Sequence, residues 1–480
     1  MTSTAIRRPG LGAPRTAVGA GLMEGIYALR PRALWHFFSR QPLSFWLVCL
    51  YMLFEYVRPQ AIYRWLQPVP WSQILILAAP LAFLLEGGRL KAKNPINFWM
   101  VLMSLAVGLS WAFALYPATS QEKMFVWVNW ILVYVLIANI VSTEGRFFLF
   151  FLLFLLASFK MSQFGARTWA ARGFGFANWG ATGAPGWFHN SGEFGIQMCI
   201  FFPLSMYFIT GLQKHWSKAK RLLLLALPGT AVLSVIATNS RGAMLGVAAV
   251  GMWMLLRTRY RVRALVALGA LAVLVVTVMP QETKERFTTM GEDETSQNRI
   301  TFWRHGIETF QRYPLTGIGY ENWAEYYRNY YGRVALPHNI FIQASAELGA
   351  FGIVSLLGLI VSSFVVTYRT RRLANVMGER GRFLAATARG LDGAMIGYLA
   401  SAFFVTVLYY PYLWFSLGMT SALHAAAVNE AAKGGGAPAP APATTGGRPV
   451  RAAGWRSAAT ALTTRRLRGG VELRRPRTVE

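Results

Sequence analysis

Long unbroken apolar runs separated by short polar segments dominate the chain. The run 147–157 contains no polar residue, whereas the strands of a membrane β-barrel alternate apolar and polar positions. A helix needs about 20 apolar residues to cross a bilayer. The pattern therefore predicts an all-α polytopic membrane protein with about 12 transmembrane helices, near 43–57, 71–86, 96–116, 124–141, 147–163, 194–211, 221–238, 242–256, 262–279, 340–368, 390–409 and 411–428.

The polar segments divide the chain into regions. Two of the polar segments are long: a Gly- and Trp-rich loop at 160–193 and a larger, partly helical loop at 280–339. Because long structured loops are usually functional, we expect the functional site in these two loops. The predicted order is a basic N-terminus (1–42), transmembrane helices 1–9 (43–279) with the loop 160–193, the large loop (280–339), helices 10–12 (340–428) and a disordered basic tail (429–480).

Basic residues distinguish the two sides of this predicted bundle. The short loops on the side of the N-terminus carry eighteen Lys and Arg, whereas the outer loops other than 280–339 carry seven. Cytoplasmic loops of membrane proteins are enriched in Lys and Arg. We therefore expect both termini in the cytoplasm and both long loops on the outer face.

Composition narrows the function classes. Hydrophobic residues make up 54% of the chain and charged residues 14%, against about 25% charged in soluble domains, which excludes an ordinary soluble enzyme. The net charge of +28 would suggest nucleic acid in a soluble protein. Here basic flanks explain much of the charge, so we predict contacts with membrane lipids and none with nucleic acid. With two Cys and two Asp, no metal site or cofactor is predicted.

One histidine has a distinctive setting. His338, in Pro337-His338-Asn339, ends the largest outer loop and opens a predicted span. A neutral imidazole can accept a proton from a hydroxyl near neutral pH, so His338 is a candidate base. An interfacial anchor is the alternative, and the same two interpretations apply to His189 at another outer junction.

Several arginines are candidates for binding phosphate. Arg241, in Asn239-Ser240-Arg241-Gly242, lies at a predicted helix N-terminus, where free N–H groups and the helix dipole also favour an anion. Arg299 and Arg304 flank Trp303 in the large loop, and Arg167 and Arg172 lie in the other long loop. Guanidinium groups bind phosphate oxygens in pairs. The alternatives are an arginine that reaches lipid headgroups and an amphipathic helix lying on the membrane.

Five short motifs, taken in their order along the chain, resemble those of a known protein family. The motifs are Asn239-Ser240-Arg241-Gly242, Arg299-x3-Trp303, Tyr313-Pro314-Leu315-x-Gly317-x-Gly319, His338-Asn339, and Glu347-x-Gly349 with Gly352. They resemble the O-antigen ligase and polymerase superfamily of bacterial envelope glycosyltransferases. The N-terminal part, including residues 54–60, is similar to O-glycosylation ligases found beside exopolysaccharide genes.

The resemblance implies a GT-C-like protein of the bacterial inner membrane with a periplasmic active site. It would transfer O-antigen glycan from undecaprenyl diphosphate to a hydroxyl of lipid A-core, by a metal-independent inverting reaction. His338 would be the base and Arg241 and Arg299 would hold the diphosphate; Arg304, Arg167 and Arg172 match more loosely. A polysaccharide polymerase, a protein O-oligosaccharyltransferase and, in a different class, a lipid-linked sugar flippase are the alternatives.

Overall fold

The computed structural model describes residues 15–175, 180–258, 260–262, 265–266, 269–270, 273, 277 and 294–434. In these ranges helices alternate with loops, which confirms the all-α prediction for the part described. The α-helices are α1 (Arg15–Tyr27), α2 (Pro31–Phe38), α3 (Leu43–Tyr56), α4 (Pro59–Ile62), α5 (Trp71–Leu85), α6 (Pro95–Ala112), α7 (Pro117–Ile140), α8 (Glu144–Ala171), α9 (Ser191–Leu212), α10 (Lys218–Leu224), α11 (Ala226–Ala237), α12 (Arg241–Arg257), α13 (Glu294–Arg312), α14 (Trp323–Tyr331), α15 (Ile340–Val376), α16 (Arg382–Ala402) and α17 (Pro411–Gly434). Short 3-10 turns occupy Arg64–Leu66, Gln213–His215 and Gly378–Gly381.

Each predicted span that the structure describes overlaps a helix, although several boundaries differ. Six helical stretches of the described chain are long and apolar enough to cross a membrane, or seven if α2 and α3, which meet at a bend of 118°, form one span. The protein is therefore a multi-pass membrane protein. Most of the predicted span 262–279, the residues 280–293 and the tail beyond 434 lie outside the described residues, so the total of about twelve stays a prediction.

Three boundaries differ from the sequence prediction. Helix α8 continues to Ala171, so the first part of the predicted loop 160–193 is helical. The span predicted at 390–409 is instead α16, which ends at Ala402 and leaves the α16–α17 linker, residues 403–410, without helix. Helix α15 extends to Val376 and is broken at Gly349, where φ is 65°. Apolar linkers and helical extensions beyond the apolar run cannot be separated by hydrophobicity alone.

Contacts between connecting segments define two ends of the bundle. At one end, here the loop end, Leu115 N–H donates to Ile318 O over 2.9 Å and Ala181 N–H donates to Ala237 O over 2.8 Å. At the other, here the basic end, Tyr27 Oη donates to Glu144 over 2.5 Å. Successive helices therefore alternate in direction, as the sequence predicts.

Small residues allow the central helices to approach closely. A Cβ on Gly397 of α16 would lie 2.8 Å from the Cys199 carbonyl oxygen of α9, and one on Gly246 of α12 would lie 3.1 Å from the Gly397 carbonyl oxygen. Helix packing in membranes uses small residues in this way. The packing brings the N-terminal ends of α9 and α12 together at the loop end.

Candidate active site

His338 is fixed at the start of α15. Its backbone is left-handed, with φ of 47°, and its N–H donates to Thr406 Oγ1 of the α16–α17 linker over 2.9 Å. The next residue, Asn339, caps α15 by accepting from Phe341 N–H over 2.8 Å. A left-handed conformation is unusual for a residue other than glycine and is held only where its surroundings determine it. The structure thus places His338 directly before α15, tied by its backbone to the linker.

Arg299 lies close enough to this imidazole for its positive charge to act on it. It precedes Trp303 by one turn of α13, and Trp303 Nε1 donates to Pro337 O over 3.1 Å. Burial, together with the positive charge of Arg299, lowers the pKa of His338 to about 4. His338 is therefore neutral at pH 7, as a proton acceptor must be.

Arg241 occupies the first turn of α12, immediately after the left-handed Asn239, whose φ is 53°. Ser240 Oγ caps the helix by accepting from Ala243 N–H over 3.4 Å. A Cβ on Gly192, in the first turn of α9, would lie 3.9 Å from Ser240 Oγ. Two helix N-termini therefore lie side by side at Arg241, and their partial positive charges favour an anion.

The α16–α17 linker joins these three candidates. Phe403 packs on Trp303 with ring centroids 5.2 Å apart, and Thr406 binds the His338 backbone. Phe404 lies beside α12, since a Cβ on Gly242 would be 3.2 Å from Phe404 Cβ. The residues flanking Arg241, Arg299 and His338 thus contact one short segment at the loop end.

The other three predicted arginines are placed differently. Arg304 is exposed and lies near His305. Burial lowers the pKa of His305; the charge of Arg304 lowers it further, whereas the charge of Glu308 raises it. Arg167 is exposed on α8 and donates to Gln163 Oε1 over 3.2 Å, and Arg172 is exposed at the C-terminal end of α8. The contacts described for Arg304 and Arg167 are with residues outside the linker. Their proposed contact with diphosphate stays a prediction.

Buried acids near the linker were missed from the sequence. Glu193 Oε1 accepts from Tyr410 Oη over 2.9 Å, and its other oxygen lies 3.5 Å from Nδ1 of the exposed His189. The sequence signal was available, because Asn190-x-x-Glu193 is a capping-box pattern, and the structure contains that box. Glu193 thus anchors the linker to the N-terminal end of α9.

A second buried acid anchors the large loop. Glu347 of α15 accepts from Trp323 N–H at the start of α14 over 3.0 Å and from Gln343 Nε2 over 3.3 Å. Gln343 Oε1 in turn accepts from Leu408 N–H of the linker over 3.2 Å. The sequence gives Glu347 only as part of a motif, because its partners come from distant segments. Through Glu347 and Gln343, α15 is therefore hydrogen-bonded to both the large loop and the linker.

Within the described ranges, no three side chains of His, Cys, Asp and Glu are grouped as a metal site would require. Whether the reaction proceeds without a metal remains a prediction. Around the linker the geometry places the neutral His338, the helix turn that carries Arg299, and the paired helix N-termini, one of which carries Arg241. Such a set can bind a phosphate-bearing substrate and accept a proton.

A family model described as O-antigen ligase matches residues 223–357. This stretch, a little over a quarter of the chain, is therefore similar to the O-antigen ligase superfamily. The matched region contains Arg241, Arg299, Arg304 and His338, whereas Arg167 and Arg172 lie outside it. The superfamily comprises membrane glycosyltransferases of the ligase or polymerase type.

The chain is also similar to the exopolysaccharide production protein ExoQ of Rhizobium meliloti (strain 1021). The two are 32% identical over 87 residues, which cover 15% of this chain and 20% of that protein. The match therefore spans about a fifth of the relative's length. It supports superfamily membership and leaves the substrates of this chain open.

Proposed function

We propose that the protein transfers a glycan from undecaprenyl diphosphate to an acceptor hydroxyl at the periplasmic face of the bacterial inner membrane. The observation that supports this most is that the charge of Arg299 acts on the neutral His338, whose backbone is bound by the linker that also contacts the N-terminal end of α12. A diphosphate leaving group and an attacking hydroxyl need these two kinds of residue side by side.

The donor side of the reaction is electrostatic. The bond between the anomeric carbon and the phosphate oxygen breaks, and the diphosphate leaves with the electron pair. Arg241, Arg299 and the N–H groups of the paired helix N-termini stabilise the negative charge that develops. Arg304, Arg167 and Arg172 would add positive charge along the approach of the donor.

The acceptor side depends on His338. The acceptor oxygen attacks the anomeric carbon from the face opposite the diphosphate, so the configuration inverts, and its proton passes to a ring nitrogen of His338. Positioned proton transfer of this kind contributes about 10²–10⁴-fold to rate. The chain's own arginines supply the positive charge that a metal would supply elsewhere, so we propose a reaction that needs neither metal nor cofactor.

We take the acceptor to be a hydroxyl of lipid A-core, as in the O-antigen ligases. A polysaccharide polymerase is the second candidate, which the similarity to a protein of exopolysaccharide production favours. A protein acceptor would make the chain an O-oligosaccharyltransferase. The same donor site serves all three.

The test is transfer by the purified full-length protein in proteoliposomes, with one undecaprenyl-diphosphate glycan and a panel of lipid A-core, glycan-lipid and periplasmic-protein acceptors. Transfer to lipid A-core alone is the expected result. Transfer to another acceptor alone would replace the ligase assignment, and no transfer to any acceptor would contradict the proposal.

Substitutions test the assigned roles in the same assay. His338→Ala should lower kcat by about 10²–10⁴-fold, because the proton acceptor is lost. Arg241→Gln and Arg299→Gln should each weaken use of the donor. The exposed His36→Ala at the basic end and the exposed Arg64→Gln at the loop end are the matched controls, and both should retain wild-type transfer. Equal activity of His338→Ala and His36→Ala would remove His338 from the reaction.

A further inference from the structure

A polar cleft lies at the basic end, on the opposite side of the bundle from His338. Its volume is about 420 Å³, within the range of about 300–1,000 Å³ typical of ligand pockets. The polar side chains that line it are Arg40, Gln41, Ser44, Glu86 and Arg146. The cleft therefore offers two guanidinium groups and one carboxylate between four different helices.

Arg146 is held in place before any ligand binds. Its Nε donates to Gln41 Oε1 over 2.8 Å and its Nη1 donates to Ile140 O over 3.3 Å. In the part of the chain that the structure describes, Nη2 has no hydrogen-bond acceptor. Arg40, exposed on the turn before α3, is the second cation of the cleft. Two guanidinium groups of this kind suit a phosphate.

Glu86 gives the cleft an anionic side. Its carboxylate accepts from Ser44 N–H over 3.1 Å and from Ser44 Oγ over 2.5 Å, which fixes it at the N-terminal end of α3. Each carboxylate oxygen can accept a further hydrogen bond. A ligand with both a phosphate and a positively charged group would match the cleft.

The cleft lies where several helices begin or end, which is the level expected for a membrane surface. Its walls are helix ends: α3 begins, α5 and α7 end, and α8 begins around it. Helix α2 bends away from α3 by 118° and leaves Trp35 with 69% of its surface exposed, as in a helix lying at an interface. Leu43 and Leu85, which adjoin the lining residues Ser44 and Glu86 in the sequence, are 55% and 80% exposed.

We propose that this cleft binds the headgroup of a phospholipid that carries a phosphate and a primary ammonium, of the phosphatidylethanolamine type. The phosphate lies between Arg40 and Arg146, and the ammonium donates to Glu86. The acyl chains run along the exposed leucines of α3 and α5. The bound lipid ties the α2–α3 turn to the ends of α5, α7 and α8, and so stabilises the basic end.

The test is lipid retention by the full-length protein, measured by native mass spectrometry after delipidation and addition of phosphatidylethanolamine, phosphatidylglycerol or phosphatidylcholine of matched chains. Wild-type protein should retain phosphatidylethanolamine best. Arg40→Gln and Arg146→Gln should each lower its apparent affinity about fivefold, the value of one basic residue near a lipid surface. Arg32→Gln and Arg89→Gln, exposed at the same end but not in the cleft, are the controls.

Glu86→Gln isolates the ammonium contact. It should remove the preference for phosphatidylethanolamine over phosphatidylglycerol while some binding of both remains. Equal retention of the three lipids by wild-type protein, or wild-type retention in Arg40→Gln, would overturn the proposal. Arg40 is exposed, so Arg40→Gln should fold normally. The test therefore does not depend on whether the variant of the half-buried Arg146 folds. Because no glycan transfer is measured, the outcome is separate from that of the proposed function.

Discussion

At the scale of single residues, the pairing of Arg299 with His338 explains how one imidazole serves the proposed reaction. Burial and the neighbouring guanidinium both disfavour the imidazolium, so the pKa of His338 is about 4 in the free protein. A base of such low pKa is unprotonated but weak. In the proposed reaction, the negative charge of a bound donor diphosphate would offset Arg299 and make the imidazole more basic at the step that needs it.

This coupling predicts an unusual pH dependence. Protonation inactivates His338, so activity falls as pH decreases through its pKa. The pH dependence of kcat/KM reports the free enzyme, so we expect its acid limb near pH 4 instead of near 6.5. The acid limb of kcat reports the donor-bound enzyme. We expect it at a higher pH, because the bound diphosphate stabilises the imidazolium. Steady-state kinetics from about pH 3 to 8 would measure both limbs.

Arg299→Gln provides the internal check. Removing this charge should move the limb of kcat/KM part of the way toward 6.5, because burial remains the larger cause of the shift. Arg328→Gln, whose guanidinium is paired with Glu325 over 3.0 Å, should leave the limb where it is. A wild-type limb near 6.5 that does not move in Arg299→Gln would show that the two groups are not coupled as described.

At the scale of helices and loops, apolar runs predicted the elements well, because the bilayer requires each span to be long and continuous. They failed at residues 403–410, since an apolar linker looks like a continuing helix. This linker is where the site is assembled, so the sequence could nominate Arg241, Arg299 and His338 but not show what brings them together. The roles of Glu193 and Glu347 were missed for a related reason: a capping box and a motif mark the two positions, but their partners Tyr410 and Trp323 come from other segments of the chain.

Close helix packing behind the site gives an element-scale prediction. Gly397→Ala should destabilise the protein by about 1–3 kcal/mol, because the new Cβ would lie 2.8 Å from a backbone oxygen of α9. Gly229→Ala on α11 is the matched control: nothing lies within 4 Å of its Cβ position, and alanine favours the helix. Thermal unfolding in detergent should therefore show a lower Tm for Gly397→Ala alone. A Tm unchanged in both variants would mean that α9 and α16 are not packed this closely.

At the scale of the whole molecule, the two ends differ in charge and in what they present. The loop end assembles the linker, the large loop and the paired helix N-termini, and the basic end carries most of the Lys and Arg of the short loops. Contacts within each end confirm the alternation of the helices. They do not depend on which end faces the cytoplasm, so the orientation rests on the positive-inside rule.

That orientation can be measured directly because the background thiol signal should be low. Cys49 and Cys199 are both buried, so a cysteine introduced at an exposed position reports its own side of the membrane. Asn329→Cys lies in α14 at the loop end and Lys218→Cys begins α10 at the basic end, and both positions are exposed. In cells with a permeabilised outer membrane, an impermeant maleimide should label Asn329→Cys and not Lys218→Cys. In inverted inner-membrane vesicles the pattern should reverse. Labelling of Lys218→Cys in the cells would place the loop end in the cytoplasm, where His338 could not meet a periplasmic acceptor.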